Sequence, residues 1–92
     1  KADQLKAEVV LLDRARDALA SGDLRATREN LGEHARLFPQ GSLADLRAAT
    51  EIELLCREDA AEEAEAQALQ FTRTYEGSAV AQRFTDFTCE RL

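Results

Sequence analysis

Apolar residues recur along this chain at steps of three and four positions, and a two-residue alternation fits no stretch of it. The first such stripe consists of Leu5, Val9, Leu12, Ala15 and Leu19. Steps of this size place the residues on one face of a helix, because an α-helix turns once in about 3.6 residues. Four later stretches share the spacing. The pattern therefore predicts an all-α protein.

Breaks in the pattern divide the chain into five predicted helices. Gly22 and Gly77 lie just past helix ends, where glycine adopts backbone conformations that other residues disfavour, and Pro39 cannot continue the helix before it. Ser42 and Asp45 have the spacing of a capping box and predict the start of the third helix. The predicted helices span about residues 3–20, 24–38, 43–57, 60–75 and 79–91.

A constant offset of 37 residues relates the second and fourth of these helices. It carries Leu24, Thr27, Leu31, His34 and Phe38 onto Ala61, Ala64, Ala68, Phe71 and Tyr75. The same offset carries the stripe of the first helix onto that of the third. We therefore predict a repeated helical hairpin, at about 3–38 and 43–75, with residues 79–91 as a capping helix. Chance matches within an Ala- and Leu-rich bundle are the alternative.

The residues around the first break resemble a tetratricopeptide repeat. The matching positions are Ala15, Ala18, Leu19, Gly22, Asp23 and Ala26, followed by Phe38-Pro39. The connection over residues 38–44 resembles the subset of that family found in bacterial envelope proteins. Those proteins include periplasmic partners of the Tol-Pal system and lipoproteins of outer-membrane protein assembly. The resemblance covers nearly the whole chain.

This resemblance implies a right-handed stack of antiparallel hairpins, with two TPR-like repeats and a capping helix, that binds a protein or peptide without catalysis. The binding groove would be lined by the first helix of each hairpin, with Arg14, Arg47 and Glu51 as polar contacts. The resemblance also implies a location in the cell envelope, for which the cytoplasm is the alternative.

Length and charge exclude several classes of protein. The 92 residues allow one small domain over residues 1–92, and the formal net charge of −6 argues against a nucleic-acid partner. The longest apolar run, Val9–Leu12, is far shorter than the roughly 20 residues that cross a bilayer, so no membrane insertion is expected of it. Because residue 1 is Lys, we interpret the chain as a segment of a longer protein.

Catalytic and metal-binding patterns are sparse. His34 is the single histidine, and with two scattered cysteines it shows no metal-ligand spacing, so we predict a partly buried helix residue with a hydrogen-bonded ring. Cys56 aligns with Leu19, whereas Cys89 aligns with Ile52, one turn earlier in the repeat. The two sulfurs would then lie about a helical turn apart as well as a helix width apart, which is too far for a disulfide, so we predict free thiols. We therefore expect no enzymatic activity, cofactor or metal.

Phe84 and Phe87 in the last predicted helix leave two alternatives open. Either both pack inward as a cap, or one of them contacts a partner or a second copy in a homodimer.

The sequence as a whole favours a non-catalytic protein-interaction scaffold, an accessory domain of a larger bacterial protein. A homo-oligomerisation or regulatory helical module is the first alternative, and a small enzyme fragment or redox domain is the second.

Overall fold

The protein is described by a computed structural model covering residues 2–92. Over that range the chain forms four α-helices and two short 3₁₀ turns, and it contains no β-strand. The helices are α1 (Ala2–Ser21), α2 (Leu24–Leu37), α3 (Ala44–Arg57) and α4 (Ala61–Thr74). The all-α prediction is confirmed, and these helices match the first four predicted ones to within one residue at each end.

Local sequence explains the turn between α1 and α2. Gly22 has a φ of +85°, in the left-handed region that favours glycine, and the backbone N–H of Asp23 donates to the carbonyl of Ala18 (2.8 Å). The Asp23 side chain then caps α2 by accepting from the backbone N–H of Ala26 (3.0 Å). A short, rigid turn of this kind brings α2 back against α1.

The capping box predicted at Ser42 and Asp45 is wrong. Helix α3 follows Leu43 and has no side-chain cap. The backbone N–H groups of Ser42 and Leu43 donate instead to a carboxylate of α1. Tertiary contact has therefore replaced a local cap, because a buried acceptor was available nearby.

Each helix packs against its neighbour in sequence, and α1 also contacts α3. We refer to α1 and α2 as the first hairpin and to α3 and α4 as the second. One apolar cluster joins the first hairpin to α3; its buried members are Leu12, Ala15, Leu19, Leu31 and Leu54. A second cluster joins α3 and α4 to the C-terminal residues, with Ile52, Phe71 and Phe84 among its members. The core is thus divided between two interfaces.

Burial follows the 37-residue offset in the second helix of each hairpin. The buried residues of α2 are Thr27, Leu31 and His34, and those of α4 are Ala64, Ala68 and Phe71. These two sets correspond position by position. The two helices therefore use the same face for packing, although one position is histidine in α2 and phenylalanine in α4.

The prediction of a fifth α-helix over 79–91 is wrong. This segment contains two 3₁₀ turns, Ala81–Phe84 and Cys89–Arg91, joined by an extended residue at Thr85 and a positive φ of 51° at Asp86. In a continuous helix Cys89 would point about 140° away from Phe84. Breaking the helix lets both residues face the second hairpin. We call residues 78–92 the C-terminal cap.

The prediction of free thiols is also wrong, because Cys56 and Cys89 form a disulfide with a Cα–Cα distance of 5.4 Å. The predicted separation of the two sulfurs assumed that Cys89 lies on a helix in register with the repeat. Since that helix does not form, Cys89 reaches the last turn of α3. The disulfide ties the C-terminal cap to the second hairpin.

Phe84 and Phe87 pack inward, which is the first of the two alternatives raised above. The Phe84 ring lies 4.9 Å from that of Phe71 and 5.2 Å from that of Phe87, measured between centroids. Both residues are buried. They belong to the core rather than to a partner surface, because the broken backbone turns both side chains toward α4.

Candidate functional site

A carboxylate is buried where α1 meets the loop between the two hairpins. Glu8 is 1% exposed, and its oxygens accept from the backbone N–H groups of Leu43 (3.1 Å) and Ser42 (3.3 Å). A Cβ on Gly41 would lie 2.6 Å from Cδ of Glu8, which is closer than packing allows. Glycine at position 41 therefore lets the loop backbone approach this carboxylate.

His34 connects Glu8 to α3. Its ring is completely buried; Nε2 lies 3.0 Å from Oε1 of Glu8, and Nδ1 lies 3.0 Å from Nη1 of Arg47. Arginine can only donate hydrogen bonds, so Nδ1 must be the acceptor and Nε2 must carry the proton. That tautomer donates to Glu8, and both contacts are satisfied by a neutral imidazole.

The surroundings shift both pKa values downward. Burial lowers the pKa of His34, and the nearby guanidinium of Arg47 lowers it further, against the opposing effect of Glu8. Burial acts to raise the pKa of Glu8, but hydrogen bonds from Leu43, His34, Gln4 and Ser42 together lower it below its usual value. Near neutral pH the network therefore holds a neutral histidine and an ionised glutamate.

Arg47 closes the network on its other side. Beyond His34, its guanidinium donates to the carbonyls of Phe38 (3.1 Å) and Pro39 (3.3 Å). Glu8, His34 and Arg47, which we call the polar network, thus connect α1, α2, the interhairpin loop and α3. Among residues 2–92 no buried side-chain nitrogen or oxygen is left without a partner. Such a satisfied network fixes the relative position of three helices.

A shallow groove of about 170 Å³ lies between α2 and α3, next to this network. It is lined by Arg28, Leu31, Gly32, Ala35, Arg47 and Glu51. Arg28 is held by Glu58 (2.7 Å), and Arg47 is held by the polar network. Over the described range, residues 2–92, Glu51 makes no ion pair of its own, so it is the charged group available to a ligand in the groove.

The structure brings together two of the polar contacts predicted from sequence. Arg47 and Glu51 both line the α2–α3 groove, whereas Arg14 lies exposed on α1 outside it. This groove is lined by the second helix of one hairpin and the first helix of the next, and not by the first helix of each hairpin as expected. The prediction missed Glu8 and Gly41. A signal for Glu8 was present, since the 37-residue offset matches it with Asp45, another acid on a first helix. The contact itself depends on a loop that folds back over α1.

The His34 ring has no solvent-exposed surface, so it cannot exchange a proton with a bound substrate in this conformation. Within residues 2–92 no group of three or more His, Cys, Asp or Glu residues could hold a metal ion. A search of the same residues for a helix long and apolar enough to cross a bilayer found none.

Comparisons with protein-family models, with curated proteins and with solved structures found no match to this chain. The geometry of the chain itself is therefore the basis for a functional conclusion.

Proposed function

We propose that this chain is a non-catalytic protein-interaction domain of tetratricopeptide type, whose α2–α3 groove binds a segment of another protein. In this proposal the two hairpins form a TPR-like stack, and the C-terminal cap ends it. The shared buried faces of α2 and α4 support the repeat, and the contacts between successive helices support the stacking.

Gly32 is the observation that carries the groove proposal. It lies inside α2, where glycine costs about 1 kcal/mol relative to alanine. A Cβ at this position would meet nothing within 4 Å in the described chain, so packing within the protein does not require a glycine there. Close approach by a ligand backbone would require one. Glu51 then favours a cationic or hydrogen-bond-donating side chain in the bound segment.

The disulfide supports a place for the domain in an oxidising compartment, such as the bacterial periplasm, because cytosolic thiols are normally kept reduced. This agrees with the envelope location that the family resemblance implies.

A peptide selection tests the groove. A random peptide library is selected on the wild-type chain, and the enriched peptides are titrated by calorimetry against Gly32→Leu and the control Gly77→Leu. Both glycines have open space around them, so both variants should fold. We expect Gly32→Leu to weaken binding at least about tenfold because it fills the groove, and Gly77→Leu to change it less than about twofold. Peptides that bind both variants equally would exclude this groove.

A further inference from the structure

The α2–α3 groove has a counterpart further along the chain. A cavity of about 220 Å³ lies between α4 and the C-terminal cap. We call it the α4–cap groove, and it is lined by Glu65, Ala68, Leu69, Phe84, Asp86 and Phe87. Four of these residues correspond, at the 37-residue offset, to residues that line the α2–α3 groove, namely Arg28, Leu31, Gly32 and Arg47. The two cavities therefore occupy positions related by the same offset as the helices.

The two hairpins have matching backbone conformations, so this offset relates positions in space as well as in sequence. Helix α4 begins and ends 37 residues after α2. In the turns that join the paired helices, Gly22 and Asp59 both have a left-handed φ, of +85° and +62°. The hydrogen bond that the backbone of Asp23 donates in the first turn has a counterpart in that from the backbone N–H of Ala60 to the carbonyl of Leu55 (2.9 Å). The walls that α2 and α4 contribute to the two grooves are therefore built in the same way.

The α4–cap groove differs from the α2–α3 groove in charge. Its lining includes Glu65 and Asp86, which are both exposed, and within residues 2–92 neither carboxylate forms an ion pair. The residue that corresponds to Glu65 in the α2–α3 groove is Arg28, whose charge is neutralised by Glu58. A ligand in the α4–cap groove therefore meets two available carboxylates.

Both arginines of the C-terminal cap are held by other groups. Arg83 pairs with Glu53 of α3 (2.5 Å), and Arg91 donates to the backbone carbonyls of Thr85 (3.1 Å) and Asp86 (2.9 Å). Neither guanidinium lines the α4–cap groove. The contacts of Arg91 also hold the backbone at Asp86, where φ is +51°, and so keep that residue beside the groove.

The apolar walls of the α4–cap groove suit the stem of a long basic side chain. Ala68, Phe84 and Phe87 are buried and form its floor, while Leu69 is 57% exposed. Lys and Arg side chains pack their methylene groups on such apolar surface and keep the charged end available to polar partners. Because Leu69 stands where α2 has Gly32, this groove has less room for a ligand backbone than the α2–α3 groove and accommodates a side chain instead.

We infer that the bound segment is basic, and that it places a Lys or Arg side chain in the α4–cap groove while its backbone lies in the α2–α3 groove. Charge complementarity selects this occupant. Glu65 and Asp86 repel an acidic side chain, and beside an apolar one they would lose hydration without compensation. Glu51 favours a cation in the α2–α3 groove as well, so both grooves select the same kind of segment. The inference rests on the proposed function, since the α2–α3 groove supplies the rest of the binding surface.

The peptides enriched by the library selection are the probe. They are titrated by calorimetry against the double variant Glu65→Gln/Asp86→Asn, in about 0.15 M salt, where distant charges are screened. Asparagine tolerates the positive φ at position 86 as aspartate does, so the backbone of the cap should be kept. The matched control is Asp17→Asn/Glu76→Gln, which changes the net charge equally at two exposed residues outside both grooves.

We expect the groove variant to weaken binding at least about fivefold and the control less than about twofold. Replacing the responsible Lys or Arg of the peptide by Gln should weaken binding to the wild-type chain and remove most of the difference between wild type and groove variant. Melting temperatures show whether both variants remain folded, and the peptide substitution tests the contact on the unaltered chain.

The outcomes separate this inference from the proposed function. Peptides that Gly32→Leu weakens and Glu65→Gln/Asp86→Asn leaves unchanged overturn the inference and leave the α2–α3 groove as the binding site. Peptides that only the second variant weakens overturn the α2–α3 groove, and with it the proposed function. Equal losses in the groove variant and its control mean that overall charge attracts the peptide, which overturns the inference, as do enriched peptides that lack Lys and Arg. A selection that yields no peptide overturns both proposals.

Discussion

Two interfaces whose residues correspond at an offset of 37 positions are stabilised by different chemistry. Between the first hairpin and α3, the packing positions hold Glu8, His34 and Arg47. The 37-residue offset matches these with Asp45, Phe71 and Phe84 at the interface between the second hairpin and the C-terminal cap. The first set forms hydrogen bonds, whereas in the second set Phe71 and Phe84 pack their rings together.

The acidic residue, Glu8 in the first interface and Asp45 in the second, has the same role in both. Glu8 accepts from the backbone of Ser42 and Leu43, and Asp45 accepts from the hydroxyl of Ser78 (2.8 Å). Each acid therefore holds the segment that follows its hairpin. Beyond that, both interfaces bury an apolar cluster, to which the first adds directional hydrogen bonds and the second adds a disulfide. The comparison teaches that one helical frame accepts either solution, provided that every buried polar group is paired.

The largest difference should appear when the acids are removed. Glu8→Ala should lower the free energy of unfolding by about 3–5 kcal/mol, because two backbone N–H groups and the His34 ring lose a buried acceptor. Asp45→Ala, at a half-buried site with one side-chain donor from another element, should cost about 1 kcal/mol. Urea unfolding of both variants checks this. Equal losses would mean that the two interfaces do not differ as described.

Breaking the disulfide should weaken the second interface selectively. Cys89→Ser should lower the free energy of unfolding by about 2–4 kcal/mol, because the bond links residues 33 positions apart. Amide exchange should rise in the C-terminal cap, which is built from short 3₁₀ turns, and should change little in α1 and α2. Cys56→Ser is the control and should match it, with no further loss in the double variant. Unchanged exchange in the cap would contradict the prediction.

The glycines in the loops that follow α2 and α4, Gly41 and Gly77, should respond differently to a methyl group. Gly41→Ala should cost about 2 kcal/mol or more, since its Cβ would overlap the Glu8 carboxylate and separate the loop from it. Gly77→Ala should stay within about 0.5 kcal/mol, because its Cβ would enter open space. Thermal unfolding of the pair measures the contrast. A neutral Gly41→Ala would show that the loop is not held tightly against Glu8.

The smallest effect is a dependence on pH that arises in the first interface. His34 is neutral when folded, and its lowered pKa means that the unfolded chain binds a proton first as pH falls below about 6.5. The free energy of unfolding should therefore decrease by at most about 1.4 kcal/mol per pH unit in that window. Glu8, whose pKa is also lowered, adds a second loss as pH falls below about 4.5.

His34→Gln is the control for this slope, because His34 is the single histidine of the chain. Glutamine can donate to Glu8 and accept from Arg47, so it preserves both contacts without titrating in this range. Urea unfolding between pH 7 and 5.5 should lose its slope in this variant. A slope that persists would assign the pH dependence to other groups.

Much of the helical frame was predictable. Periodicity and the breaks at Gly22, Pro39 and Gly77 located four helices to within a residue, because these signals act over a few neighbouring residues. The last segment was not predictable in the same way. Its spacing of Val80, Phe84 and Phe87 suits a helix, but burial of both rings and the bond from Cys89 to Cys56 favour a broken backbone.

The candidate site was likewise predictable only in part. The sequence pointed to Arg47 and Glu51, and to His34 as a residue with a satisfied ring. The full burial of His34 and its place between Glu8 and Arg47 depend on these two residues, which are 26 and 13 positions away in the chain.

The amino-acid sequence by itself determined the all-α class, the helix boundaries and the 37-residue correspondence, since apolar spacing and turn residues act locally. Only the tertiary structure decided that Glu8 is buried, that the two cysteines are joined and that the C-terminal cap is not an α-helix. These outcomes depend on which distant groups meet in the core, where an unpaired charge is costly and a paired one is accepted.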